Sequence, residues 1–401
     1  MNTGDTAFML VASALVMFMT PGLAIFYGGL VRSKNVLSTV MHSFICLGVV
    51  SILWVLFGYS LSFGPDIGGF IGNLDYAMLN GVGAAPDGDS TIPHILFCAF
   101  QLMFAVITPA LISGAYAERM KFSAFLIFTV LWTVLVYFPV CHWVWGGGWL
   151  GEMGALDFAG GTVIHINSGV AALAAALFLG RRKGYGTDQL HPHNVPLVVL
   201  GAGILWFGWF GFNAGSQLAA DGTAAMALFV TQVAAGVAAV AWAGAEWIYQ
   251  GKPTVLGAAS GAVAGLVAIT PACGFVGPGA AMVIGLVAGA LCYFACVAKS
   301  RLGYDDALDV VGIHGVGGLW GALATGLFAA EMYGGVNGLF YGNAKQFGIQ
   351  AIGALAAIVY SFVLSAIILK VTDVAVGLRV DEEQEHQGLD LTQHSEVGYT
   401  L

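Results

Sequence analysis

The chain has 401 residues, 58% of them hydrophobic and only 9% charged, with a formal net charge of −9. A soluble domain carries roughly 25% charged residues, so no water-surrounded fold could hide this much apolar surface behind so few charges. The remaining solvent for those side chains is lipid, and the acidic balance counts against a nucleic-acid partner.

Apolar runs of about 20 residues predict eleven transmembrane helices and an all-α membrane protein. They cover 7–31, 41–63, 92–116, 122–141, 160–180, 195–216, 223–248, 254–270, 279–298, 307–330 and 347–373. Met1 to Phe8 carry no Lys or Arg, so the first run reads as a retained helix and not as a cleaved signal. Arg32 and Lys34 follow helix 1, Arg119 and Lys121 helix 3, and Arg181, Arg182 and Lys183 helix 5. Lys252 follows helix 7, Lys299 and Arg301 follow helix 9, and Lys370 and Arg379 close helix 11. Only Lys345 of the thirteen positive charges falls on the other face. The positive-inside rule makes the crowded face cytoplasmic, with the N-terminus outside and the C-terminus inside. Residues 1–376 would then form one eleven-helix domain, and 377–401 a cytoplasmic C-terminal tail. The connection 64–91, rich in Gly and Asp, reads as an outer loop.

Six cysteines, mostly inside apolar runs and without any CxxC, suggest neither a disulfide framework nor a metal site, and no cofactor is expected. Gly257, Gly261 and Gly265 recur every four residues, a ridge that lets membrane helices pack closely. Ala155-Leu156-Asp157 precedes a glycine-containing stretch and then His165; Ala307-Leu308-Asp309 precedes a similar stretch and then His314. Five helices apart, the two copies cross in opposite directions. That pattern predicts an inverted repeat of five plus five helices with the eleventh left over, and a solute path at the repeat interface.

His165 lies about eight residues inside helix 5, a depth of ~12 Å at 1.5 Å per residue, and His314 is as deep from the other side. In a core of ~30 Å both reach the middle third, where ionisable residues are scarce and tend to line solute paths. Two packing histidines are the bland reading, weakened because matching helices supply one each. Asp157, before Gly160-Gly161-Thr162, reads either as a helix cap or as a counter-charge for a cation in an outer vestibule. Asp309 reads mainly as a cap, and Glu246 as structural. Trp143 and Trp149 suit an interfacial aromatic belt, whereas three glycines beside Trp145 leave room against its ring, whose face can hold a small cation. Phe104, Trp209, Phe212 and Ser216 would lie near the outer ends of helices 3 and 6. No Ser/His/Asp order, metal cluster or nucleotide loop points to an enzyme.

Five segments carry a resemblance to a known family: His142–His165 (HWVWGGGWLGEMGALDFAGGTVIH), Trp206–Ser216 (WFGWFGFNAGS), Ile269–Phe275 (ITPACGF), Asp309–Gly318 (DVVGIHGVGG) and Gly377–Asp390 (GLRVDEEQEHQGLD). From helix 1 to the tail the chain resembles the Amt/Mep ammonium transporters. The resemblance implies an eleven-helix protomer with its own pore in a homotrimer of the plasma or inner membrane. It implies transport of ammonium/ammonia, with methylammonium as an analogue. Trp145, Phe104 and Ser216 match the outer recruitment site, with Asp157 the acid that holds it together. Phe104 and Phe212 match the stacked phenyl gate, His165 and His314 the twin histidines of the pore, and Thr270 a residue near its wall. Trp145 and Ser216 favour the ammonium branch over the related Rhesus channels. The tail resembles the segment through which family members meet a PII-type signalling protein, a solvated acidic end being the plainer reading. A carrier of another small amine or of carbon dioxide is the nearest rival, and a non-conducting ammonium sensor the next.

Overall fold

The computed structural model describes residues 1–400. With no water in the hydrocarbon layer to satisfy backbone N–H and C=O groups, an apolar chain of this kind folds into helices that satisfy their own. In chain order these are α1 (Thr3–Leu30), α2 (Ser33–Phe63), α3 (His94–Tyr116), α4 (Phe122–Met153, interrupted at Gly146–Gly148), α5 (Gly161–Leu179) and α6 (Val195–Gly215). There follow α7 (Gly222–Gln250), α8 (Val255–Ile269), α9 (Pro278–Leu302), α10 (Val311–Phe328) and α11 (Ala344–Val376). Among the described residues ten of these are long and apolar enough to cross a membrane. The predicted run 254–270 is a helix, but α8 has only 15 residues. At 1.5 Å per residue it falls short of a ~30 Å core, and protein covers it in place of lipid.

The glycine ridge explains that cover. A methyl group at Gly265 would lie 2.5 Å from the Ala234 carbonyl oxygen, and one at Gly261 2.8 Å from that of Ala238. Bare backbone therefore lets α8 press directly on α7. Glu246 is structural: its carboxylate accepts from the Thr254 amide at 2.9 Å and so holds the start of α8. Elsewhere α1 lies along α6, and α5 meets α10 at the centre with α3, α8 and α11 around them.

Both central helices open on a wide π-helical turn, Gly161–Ile166 in α5 and Val311–Val316 in α10. Such turns leave amides without the usual partner, and an aspartate supplies one in each case. Asp157 accepts from the amides of Gly160, Gly161, Thr162 and Val163 at 2.6–3.1 Å. In α10 the acceptor is Asp306, bonded to the Val311 amide at 2.7 Å. The Ala-Leu-Asp echo pointed to Asp309 as the cap, and the structure corrects it by three residues. Asp157 and Asp306 each stand eight residues before their histidine. Asp309, held at φ +62°, turns away to pair with Lys299 at 2.5 Å.

At the end that carries most Lys and Arg, a buried ionic cluster ties the loops together. Glu118 accepts from the Arg32 amide and Nε, from Asn35 Nδ2 and from Arg182 Nη1, at 2.8–3.1 Å. Arg182 forks onto Asp305 with two bonds of 2.9 Å. The tail packs onto this surface instead of hanging free. Glu385 accepts from Arg379 and from the Lys183 amide at 2.6 Å each, and Asp390 accepts from the Ser38 amide at 2.8 Å. Glu385, Leu389 and Asp390 are all buried.

Burial by itself would push the Glu118 carboxyl up, but Arg182 and Arg32 outweigh it and lower it to about 2, from an ordinary 4.5. A carboxylate depressed in the folded state contributes stability that is present above its unfolded value and lost as pH falls towards the folded one. Thermal unfolding in detergent should therefore show a loss between about pH 4.5 and 2 that Glu118→Gln removes in part, while at pH 7 that variant is less stable by about 3–5 kcal/mol. Equal stability of variant and native chain at pH 7 would mean that the cluster holds nothing.

Candidate functional site

The site begins with glycines. Where α5 and α10 cross, a methyl group on Gly169 would stand 2.2 Å from the Gly315 amide nitrogen, and one on Gly318 2.8 Å from His165 Cβ. Only a side-chain-free crossing permits this approach. With the two π turns, it brings His165 and His314 to an Nδ1–Nδ1 distance of 3.2 Å, rings tilted by 26° and centroids 5.2 Å apart.

Because both bonded atoms are Nδ1, one ring must donate and the other accept, so the two neutral imidazoles hold opposite tautomers. His165 Nε2 is buried with no protein partner. Both rings line one narrow pocket whose other walls are almost wholly apolar, among them Leu23, Phe26, Ile107, Leu111, Leu205 and Val263. A free imidazole nitrogen in such a pocket can bond only to a small polar solute or a water.

Above the histidines, towards the 64–91 loop, Phe212 stacks on His165 at 6.2 Å and on Phe104 at 4.3 Å. Phe104 and Phe212 are each 1% exposed; Phe212 forms one wall of the pocket and Phe104 stacks on its far side. Beyond them lies an open cleft of about 310 Å³, lined by Trp145, Ser216, Gln101 and the rings of Phe63, Phe97 and Phe158. Trp145 meets the edge of Phe104 at 6.0 Å, with the rings at 88°. The Trp145 indole donates to the Asp157 carbonyl oxygen at 2.8 Å, which fixes its plane. Ser216 donates its hydroxyl to the Phe212 carbonyl at 2.8 Å, leaving the oxygen's lone pairs as acceptors.

Asp157 is therefore central in two ways: its carboxylate completes the π turn and its carbonyl anchors Trp145. Burial raises its carboxyl above the ordinary carboxylate range, and the four amides oppose that rise. Thr270 stands one layer behind the pocket. It accepts from Trp209 Nε1 at 2.8 Å, and Trp209 in turn stacks on His165 at 5.5 Å. Sequence reasoning put Trp209 with the entrance, whereas it backs the first histidine. A count of turns from the outer end of α6 could have found it, since Trp209 lies about two turns below Ser216. Phe63, Phe97 and Phe158 were not singled out, because nothing in their local pattern distinguishes a cleft wall from a packing ring.

A helical bundle with a buried imidazole pair in an apolar pocket, flanked on one side by two stacked rings, defines a multi-pass membrane protein with a candidate solute path inside a single chain. The comparisons narrow this class to one family. Residues 7–399 match the model of the Ammonium Transporter Family, and the chain belongs to it. It is 55% identical over 403 residues to an ammonium transporter of Bacillus subtilis (strain 168), covering 100% of this chain and 99% of that one. It is 48% identical to ammonium transporter Amt1 of Archaeoglobus fulgidus, with 100% of both chains covered. Among solved structures, Saccharomyces cerevisiae Mep2 superposes with a TM-score of 0.90 at 38% identity, over 96% of this chain and 88% of that one.

Thr270→Val removes the acceptor of a buried indole N–H, and an unpartnered donor of that kind costs about 1–3 kcal/mol. The variant should unfold at lower temperature and lose solute flux, while Thr270→Ser keeps both. A Val variant as active and stable as the native chain would show that Trp209 does not depend on this bond.

Proposed function

We propose that the protein moves ammonium across a cell membrane, the plasma or inner one, by capturing the ion outside and conducting ammonia through the pocket of the paired histidines. The observation that carries this reading is the 3.2 Å contact between His165 and His314 inside an otherwise apolar pocket, with the stacked Phe104 and Phe212 rings beside it. Family membership and relatives named as ammonium transporters support the substrate.

The mechanism follows from size and charge. Ammonium and potassium have similar charge and radius, so a cage of carbonyls would separate them poorly. Ammonium differs in donating hydrogen bonds and in being able to lose a proton. In the cleft it lies against the face of the Trp145 indole beside Phe104, a contact worth about 0.5–2 kcal/mol, and donates to the Ser216 oxygen. Asp157 keeps this arrangement rigid. A bare ion cannot enter the dry pocket without a large desolvation cost, whereas ammonia can. Beside the Phe104–Phe212 pair the ion passes its proton to a water of the open Trp145 cleft, leaving ammonia, which then bonds in turn to the imidazole nitrogens of His165 and His314. Thr270 shapes the wall through Trp209.

Eleven helices, arranged as five plus five inverted with α11 added, set the N-terminus outside and the C-terminus in the cytoplasm. The twelve-to-one distribution of Lys and Arg and the matched π turns of α5 and α10 support this arrangement. Residues 1–376 are the transport domain. Residues 377–401 are a regulatory tail that meets a PII-type signalling protein, and three such chains form a homotrimer. The tail's docking on the Lys183 amide and on Asn35 and Ser38 at the start of α2 supports a partner at that face. One solved relative is described as a "Sensor Amt Protein"; its sequence identity of 31% is below that of the named transporters, although its fold superposes as well, with a TM-score of 0.91.

Purified protein in liposomes should take up ammonium down an imposed gradient, with methylammonium competing and potassium not. Uptake no faster than in protein-free liposomes, or equal competition by potassium, would contradict the assignment.

A further inference from the structure

A second cleft of about 280 Å³ adjoins the Trp145 cleft, with Phe63, Phe97, Trp145 and Leu218 lining both. Its remaining surface comes from Tyr59, Asp87 and His94 among others. Tyr59 and His94 are locked together by a hydroxyl–Nε2 bond of 2.5 Å. The His94 ring stands edge-on to Tyr59 at 5.5 Å and to Tyr76 at 5.3 Å. Phe63 and Phe97 meet edge to face at 5.0 Å, which completes an aromatic wall. Asp87 closes the solvent side: its carboxylate lies 3.9 Å from His94 Nε2, with 63% of its side chain exposed. The loop that carries it is held in place, because the Ala85 carbonyl accepts from the His94 amide and the Gly83 carbonyl from the Ile95 amide, at 3.0 Å each. No Lys or Arg occurs between Lys34 and Arg119, so no cation from this stretch competes for the carboxylate.

An exposed carboxylate lining an aromatic cleft is a binding environment for a small, weakly hydrated cation. We propose that Asp87, with the ring walls of Tyr59, Phe63 and Phe97, forms an outer collecting site that holds ammonium or methylammonium before it passes to Trp145. This rests on the transport reading above and adds a binding step upstream of it. His94 is a positioning residue: its bond to Tyr59 fixes the ring wall beside the Asp87 carboxylate. The site raises the local concentration of the ion at the entrance without touching the pocket, so it acts on apparent affinity and not on the maximal rate.

The test is uptake of labelled methylammonium by intact cells that express the chain at matched membrane levels and have no other carrier. Asp87→Asn should raise the half-saturating concentration about two- to fivefold at low ionic strength, the range of one screened surface charge contact, with unchanged maximal uptake. The effect should fade at high salt, as an exposed charge is screened. Asp89→Asn removes an equally exposed carboxylate two residues away that does not line the cleft, and should change neither parameter. A native half-saturation in Asp87→Asn, or an equal shift in Asp89→Asn, would overturn the collecting site and leave transport standing. No uptake by the native chain would instead overturn the transport reading itself.

Discussion

Everything at the centre of this protein depends on one close crossing: α5 and α10 touch backbone to backbone at Gly169 and Gly315. Two imidazoles can share a hydrogen bond in hydrocarbon surroundings only if their helices come this near and present the rings in register. The π turns set the register, and the turns need foreign acceptors for their loosened amides. Asp157 and Asp306 are those acceptors. A charged or polar group at membrane depth thus serves the backbone first, and its position for chemistry follows from that service.

The same economy shapes the two ends. On the 64–91 side the loop carries carboxylates but no Lys or Arg, and aromatic rings line the clefts beneath it. On the opposite side charge is dense and internally paired, as in the Glu118–Arg182–Asp305 chain, and the tail adds Glu385 and Asp390 to it. A cavity of about 360 Å³ at this end is bordered by Arg182 of that chain and by the separate Lys299–Asp309 pair.

Much of this was legible in the sequence. Hydrophobic run length marked the helices, because lipid imposes length and apolarity together. The residues Trp145, Phe104, Phe212, Ser216, Asp157, His165 and His314 do converge in space, linked by successive contacts from the Trp145 cleft to the apolar pocket. What the sequence hid was geometry that carries no periodic signal. The Ala-Leu-Asp echo matched letters and misplaced the second cap by three residues, since a carboxylate's reach to an amide depends on the turn, which letters do not encode. Thr270 lay near the wall in pattern but behind Trp209 in space. The tail's polar composition suggested solvent, yet its acids fold against loop amides far away in the chain, partners that no local pattern could reveal.

Selectivity stands or falls with the imidazole pair. If His165 and His314 only fill space, replacing both with Ala should leave a cavity that costs a few kcal/mol and little change in selectivity. If they carry ammonia through a dry pocket, their loss opens room for water, and water lowers the barrier to any small cation. Ammonium and potassium currents in liposomes, recorded for the native chain and the double Ala variant, distinguish the two. A conducting pair predicts lost ammonium flux, a new potassium conductance, or both. Native ammonium currents with undiminished exclusion of potassium in that variant would contradict it.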